Sequence, residues 1–176
     1  MKGFSLIELM ITICIAGILS TVAIPQYQTW LANNRASVYA NQLMSDLRYA
    51  RSVAMMQNQA NSSISICQPT TASGYTCDSS TQWQKGWVVV DANNTVIRNF
   101  QFNNTFTAVN TGISLSTSGS GTPSTLSFMG NGMPLTVPKG NTNASYSFTI
   151  KPPNCSIGYI INIPIDGQIN QQSSAC

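Results

Sequence analysis

The 176-residue chain carries 8 Lys and Arg against 5 Asp and Glu, a net charge of +3, and only 7% charged residues, where a soluble protein usually has about 25%. So small a charge gives no reason to expect a polyanion partner, and the absence of histidine removes the commonest general base and the commonest metal ligand. The length predicts one ordinary domain plus whatever the N-terminus adds.

Residues 4–24 hold one charge, Glu8, in an otherwise apolar run. As a helix this run would span about 31 Å, the thickness of a bilayer core. Lys2 precedes it and predicts that this end stays cytoplasmic, with the rest of the chain outside. An ordinary secretory signal cleaved after Ala23 is the alternative, since Thr21-Val22-Ala23 has a cleavage-site look. Glu8, the one glutamate of the chain, argues against it. A carboxylate in an apolar helix costs on the order of 2.5–3.5 kcal/mol at the bilayer centre and less towards an end, so a segment made for disposal gains nothing by carrying one. Cys14, inside the run, reads as a lipid-facing or packed thiol.

Beyond Pro25, apolar residues recur at steps of three or four through Tyr27, Leu31, Tyr39, Leu43, Leu47, Ala50 and Ala54, with Arg35, Arg48 and Arg51 marking a polar side. One helix is predicted over residues 4–57, kinked or loosened at Pro25. From Asn61 the period changes to two. Strands are predicted at 63–67, 86–90, 96–102, 112–115, 125–128, 145–150 and 158–163, with turns at Asp91-Ala92-Asn93-Asn94 and Gly130-Asn131-Gly132 and a loop over 116–125. The fold class is α+β: a long N-terminal helix packed on one or two antiparallel sheets. Cys67, Cys77, Cys155 and Cys176 allow three disulfide connectivities. The shortest loops, Cys67–Cys77 and Cys155–Cys176, are the expected ones, each stabilising by roughly 2.5–3.5 kcal/mol in the chain-entropy model. Disulfides also require an oxidising compartment.

Gly3-Phe4-Ser5-Leu6-Ile7-Glu8 resembles the processing motif of type IV prepilins. The resemblance implies a leader, residues 1–3, removed by a prepilin peptidase that cuts after Gly3 and methylates the new N-terminus, Phe4. It also implies that Glu8 pairs with the terminal amine of a neighbouring subunit during assembly, and that Pro25 loosens the helix. On this reading residues 4–24 are the membrane and assembly helix, 25–57 its amphipathic continuation and 58–176 an exported β-rich head. The stretch from Leu43 to Ala54 with Asn58, and Lys85-Gly86-Trp87-Val88-Val89-Val90-Asp91, resemble the GspH/FimT branch of minor pilins and pseudopilins. The implied role is that of a minor pilin priming a type IV pilus, with other minor pilins, the major pilin and inner-membrane lipid as partners. The implied location is the inner membrane, head in the periplasm, and then the pilus. A minor pseudopilin of type II secretion is the rival on the same scaffold.

No Ser-His pair, Cys-His pair or phosphate loop is present, and Asp46, Asp78, Asp91 and Asp166 are scattered, so neither catalysis nor a cofactor is expected. Asp91-Ala92-Asn93-Asn94 offers oxygens suited to calcium, but a turn with Asx hydrogen bonds is the simpler account. Some members of the branch bind DNA through a Gly-Arg-x-Arg element near the C-terminus. The corresponding stretch, Gly167-Gln168-Ile169-Asn170, has neutral residues for both arginines, which argues against DNA as a partner because each neutralised phosphate needs a cation.

Overall fold

No glycine occurs between Gly17 and Gly74, and Pro25 is the one proline before Pro69. Little therefore interrupts a helix, and in the computed structural model a single α1 (Leu6–Gln57) of 52 residues continues past Pro25. The structure describes residues 5–57, 64–69, 77, 83, 86–101, 113–117, 124–136 and 145–176. Among these, nine strands follow the helix: β1 (Ile64–Cys67), β2 (Gly86–Val90), β3 (Val96–Gln101), β4 (Ile113–Thr117), β5 (Thr125–Phe128), β6 (Pro134–Thr136), β7 (Tyr146–Ile150), β8 (Ile157–Ile163) and β9 (Asn170–Ala175). The expected α+β, pilin-like architecture is the one observed. Ser63, Phe102 and Gly112, expected at strand ends, lie outside the described residues, as does most of the expected 116–125 loop, whose first two residues belong to β4.

Two sheets form. One has the order β3-β2-β1-β5-β6 and the other β4-β7-β8-β9, with every pairing antiparallel. Two strands were not expected. β6 has three residues, too few for an alternation to show. β9 reads Asn-Gln-Gln-Ser-Ser-Ala and has no apolar pattern. Its pairing with β8, from Ile157↔Ala175 to Asn162↔Asn170, makes it a strand.

The core lies where the second half of α1 meets both sheets, chiefly at β8 and β1. Ile64, Ile66, Trp87, Val89, Leu126 and Phe128 come from the first sheet, and Phe148, Ile150, Ile161 and Ile163 from the second. Their alternation along each strand puts one face inward. All five residues of β2 are buried, because Val88 and Val90 point the other way into a second cluster with Cys67.

The helix stripe differs from expectation in its first half. Ala32, Ala36 and Ala40 are buried there, whereas Tyr27 is exposed and Leu31 and Tyr39 are half-buried. Alanines four residues apart present a smooth strip on which the sheet can approach closely. The larger side chains flank that strip, and Tyr39 meets Phe100 edge-on at 6.4 Å. From Leu43 onward the expected Leu43, Leu47, Ala50 and Ala54 are all buried.

Candidate functional site

The first half of α1 lies wholly outside the core. Leu6, Ile7, Leu9, Met10, Ile11, Ile13, Ile15, Ile18, Leu19, Val22 and Ile24 are all exposed, in the one described helix long and apolar enough to cross a membrane. The polar side chains within this stretch are mostly satisfied by the helix itself. Thr12 Oγ1 donates to the Leu9 carbonyl, Ser20 Oγ to Ala16 and Thr21 Oγ1 to Ile18, each at 2.7 Å. Glu8 is the exception: its carboxylate has no hydrogen-bond partner or ion pair among the described residues. A charge on an apolar surface with no internal partner is suited to an external one. Gly3 and Phe4, where cleavage and methylation are expected, lie outside the described residues. Pro25 sits inside the helix, where its missing N–H deprives the Thr21 carbonyl of its usual donor. Cys14 is free and exposed.

The base of the head is fastened to the helix at Asn33. Its Oδ1 accepts from the amides of Ser156 (2.9 Å) and Ile157 (3.1 Å), while its Nδ2 donates to Ser156 Oγ at 2.9 Å. Beside this clamp Cys155 is bonded to Cys176, which ties the end of β9 to the start of β8. Cys67 is bonded to Cys77, with Pro69 and Cys77 forming a bridge between the two backbones.

Higher on the helix, Asp46 is 2% exposed. Trp87 Nε1 donates to its Oδ2 at 2.8 Å and Gln42 Nε2 to the same oxygen at 3.1 Å. Arg98 pairs with Oδ1 at 3.2 Å and lies over the Tyr49 ring, 3.8 Å from its centroid. Trp87 in turn stacks on Phe100 at 4.5 Å. One carboxylate thus joins α1 to β2 and β3. The sequence signal was an acid inside the Leu43–Leu47 stripe, and periodicity alone could not name its partners.

The upper end of α1 holds two turns together. Arg51 Nε donates to the Gly132 carbonyl (3.1 Å) and its Nη2 to the Asp166 carbonyl (3.2 Å), while Arg48 Nη2 donates to the Ile169 carbonyl (3.3 Å). Gly132 and Gly167 adopt φ of 77° and 73°, and a Cβ on Gly167 would collide with the Gly132 carbonyl. Arg48 and Arg51, expected on a merely polar side, therefore tie the β5–β6 and β8–β9 turns to the helix. Gly167-Gln168-Ile169-Asn170 belongs to this junction and brings no cation to it.

Elsewhere Asp91 Oδ1 accepts from the Asn93 and Thr95 amides at 2.9 and 2.7 Å, which is the hydrogen bonding of an Asx turn. Asp78, Lys85 and Lys139 lie outside the described residues. Burial pushes the Tyr146 hydroxyl above its ordinary value of 10.0.

An exposed apolar half-helix is thus continued by a half that carries a disulfide-tied two-sheet head. The profile described as "Type II transport protein GspH" matches residues 39–163, well over half of the chain and nearly all of the head's core. The chain belongs to the GspH family. The profile of the prokaryotic N-terminal methylation motif matches residues 1–24. Among curated proteins, the chain is 58% identical to "Type IV major fimbrial protein FimA" of Dichelobacter nodosus over 36 residues, 20% of this chain and 23% of that one. It is 41% identical to "Fimbrial protein" of Pseudomonas aeruginosa over 58 residues, 33% of this chain and 37% of the other. With "Type IV major alpha-pilin" of Moraxella bovis it shares 45% over 42 residues, 24% and 26% of the two chains. The matched stretches thus span well under half the length of these relatives. No solved structure matches the chain. As a GspH-family protein with a methylation motif, the chain is a pilin-like protein of the GspH/FimT type, and Trp87, Asp46 and Arg51 all fall within the family-matched region.

Proposed function

We propose that this chain is a minor pilin that takes part in assembling a type IV pilus, as one of the subunits at the tip that prime polymerisation. A pilin-type role, in a pilus or a pseudopilus, follows from the family. The observation that carries the finer reading is Glu8: a carboxylate without a partner among the described residues, on an exposed apolar helix, five residues past the glycine of a methylation motif. Its natural counter-charge is an amine that arrives only with another subunit. Two charges that are each costly in lipid neutralise one another when the subunits dock in register.

In this mechanism residues 1–3 are the leader, a prepilin peptidase cuts between Gly3 and Phe4, and the Phe4 amine is methylated. Residues 4–24 hold the subunit in the inner membrane with the head, 58–176, in the periplasm. On extraction, the Phe4 amine and Glu8 set the register against neighbouring minor pilins and the major pilin. Residues 25–57, loosened at Pro25, carry the head into the filament. Surface pilus abundance in a deletion strain, scored with and without the retraction motor, tests this. Pili that vanish and return when retraction is blocked support priming, and normal pili in both backgrounds refute it. Glu8→Ala should insert in the membrane yet fail to complement the deletion.

A second reading, a minor pseudopilin that helps to move folded substrates out by type II secretion, is favoured by the description of the matching family. Loss of secretion with normal pili would select it. DNA capture finds less support. Arg48 and Arg51 are engaged with backbone carbonyls and Arg98 with Asp46, and Gly167-Gln168-Ile169-Asn170 supplies no charge. A gel shift showing salt-sensitive binding would revive it.

A further inference from the structure

Just past the apolar run, Tyr27 and Trp30 stand on one side of α1, 62% and 60% exposed. Their rings are stacked with centroids 6.0 Å apart and planes 27° from parallel. Neither packs into the head. Their backbone positions lie about 4.5 and 9 Å beyond Ile24 along the axis, and helical side chains lean back towards the N-terminus. A headgroup layer adds roughly 5–8 Å to each side of a bilayer core, so both rings fall at that depth when residues 4–24 fill the core. The head begins at once above them. Ala32 is the first buried residue of the helix, and Asn33 clamps Ser156 and Ile157. Ile157 is half exposed at the edge of this floor.

We propose that Tyr27 and Trp30, with Ile157 on the floor of the head, form a docking surface for phospholipid headgroups that seats the head on the bilayer without a spacer. This rests on the membrane-anchored reading above and adds the depth at which the subunit waits. The occupant is lipid for two reasons. The stack is continuous with an apolar surface that lipid alone covers before assembly. Its chemistry also matches the interface: indole N–H and phenol O–H, neither with a partner among the described residues, meet ester and phosphate oxygens while the rings meet upper acyl chains. A rigid head held at one depth would present every subunit to its neighbours at the same height.

The chain carries its own probe. Of its three tryptophans, Trp83 and Trp87 are fully buried. Trp87 is bonded to Asp46, which lies sixteen residues, or about 24 Å, further along the helix than Trp30. The full chain is reconstituted into vesicles of phosphatidylcholine and phosphatidylglycerol, floated on a gradient, and its emission measured with lipids brominated just below the carbonyls or near the chain ends. The expected result is a loss of emission greater with the shallow bromines than with the deep ones, with this component absent in Trp30→Phe, which keeps a ring but removes the probe. Floated chain whose emission ignores both lipids, and whose Trp30 stays open to acrylamide, would overturn the docking surface while leaving the membrane anchor standing. Stronger quenching by the deep bromines would also overturn it, since the ring would then lie in the core. Chain that fails to float would overturn both.

Discussion

Asp46→Ala removes a buried acceptor that links α1 to β2 and β3. Trp87 Nε1–H is fully buried, and a buried donor left without an acceptor costs about 1–3 kcal/mol. Arg98 is 44% exposed on its side chain and can turn to water, so its share is discounted to about 0–1 kcal/mol. The Gln42 contact is a helical i, i+4 pair worth about 0.2–0.5 kcal/mol. The expected loss is about 2–4 kcal/mol, dominated by Trp87, or roughly 10 °C in Tm for a head of this size. Asp46→Asn separates the terms. Its carbonyl oxygen can still accept from Trp87, while its amide faces Arg98 without charge, so the expected loss is only about 1 kcal/mol. Near-UV circular dichroism of the full chain in detergent, followed through denaturation, reads both the Trp87 environment and the midpoint. An Asp46→Ala loss below about 1 kcal/mol, or equal losses for Ala and Asn, would refute the view that a buried acceptor, rather than charge or packing, does the holding.

Three further outcomes are expected. Gly167→Ala requires an L-residue at φ 73° and puts its Cβ on the Gly132 carbonyl; strain of about 1–3 kcal/mol from the backbone alone, with the clash added, should lower the unfolding midpoint and open the 164–168 turn to protease. Cys155→Ser with Cys176→Ser opens a loop of sequence separation 21, a loss of about 3 kcal/mol in the chain-entropy model, and hydrogen exchange should speed up along β9 before the rest of the second sheet. Tyr146 is raised by burial, so its contribution is complete below pH 10 and is lost as pH climbs through the folded-state value, where the unfolded chain has already given up its proton. Tyr146→Phe should flatten that alkaline decline, measured in short denaturation runs between about pH 9 and 11.

The Asp46 and Arg51 junctions show where reading the chain stopped. Asp46 read as one of four scattered aspartates, and nothing local said that Trp87, 41 residues away, and Arg98, 52 away, would converge on it. Arg51 looked like a solvated cation because helical periodicity counts only its own element. Its acceptors are carbonyls 81 and 115 residues on. β9 was invisible for the same reason, since a polar strand at a sheet edge owes its conformation to its neighbour rather than to its own side chains. The alanine strip at Ala32, Ala36 and Ala40 escaped notice because small residues add little to an apolar count and matter only once a sheet lies across them.

Features that depend on neighbours along the chain were legible from the residues alone. An apolar run of bilayer length with one acid, a helix with no glycine after Gly17, and strands of period two all follow from interactions within a few residues, where composition and spacing carry the energy. The number of sheets, the pairing of β9, the partners of Asp46, Arg48 and Arg51, and the nearness of Gly167 to Gly132 were decided only by the folded chain. These depend on which distant segments meet, and that is set by the summed burial of a whole core, not by any one stretch of it.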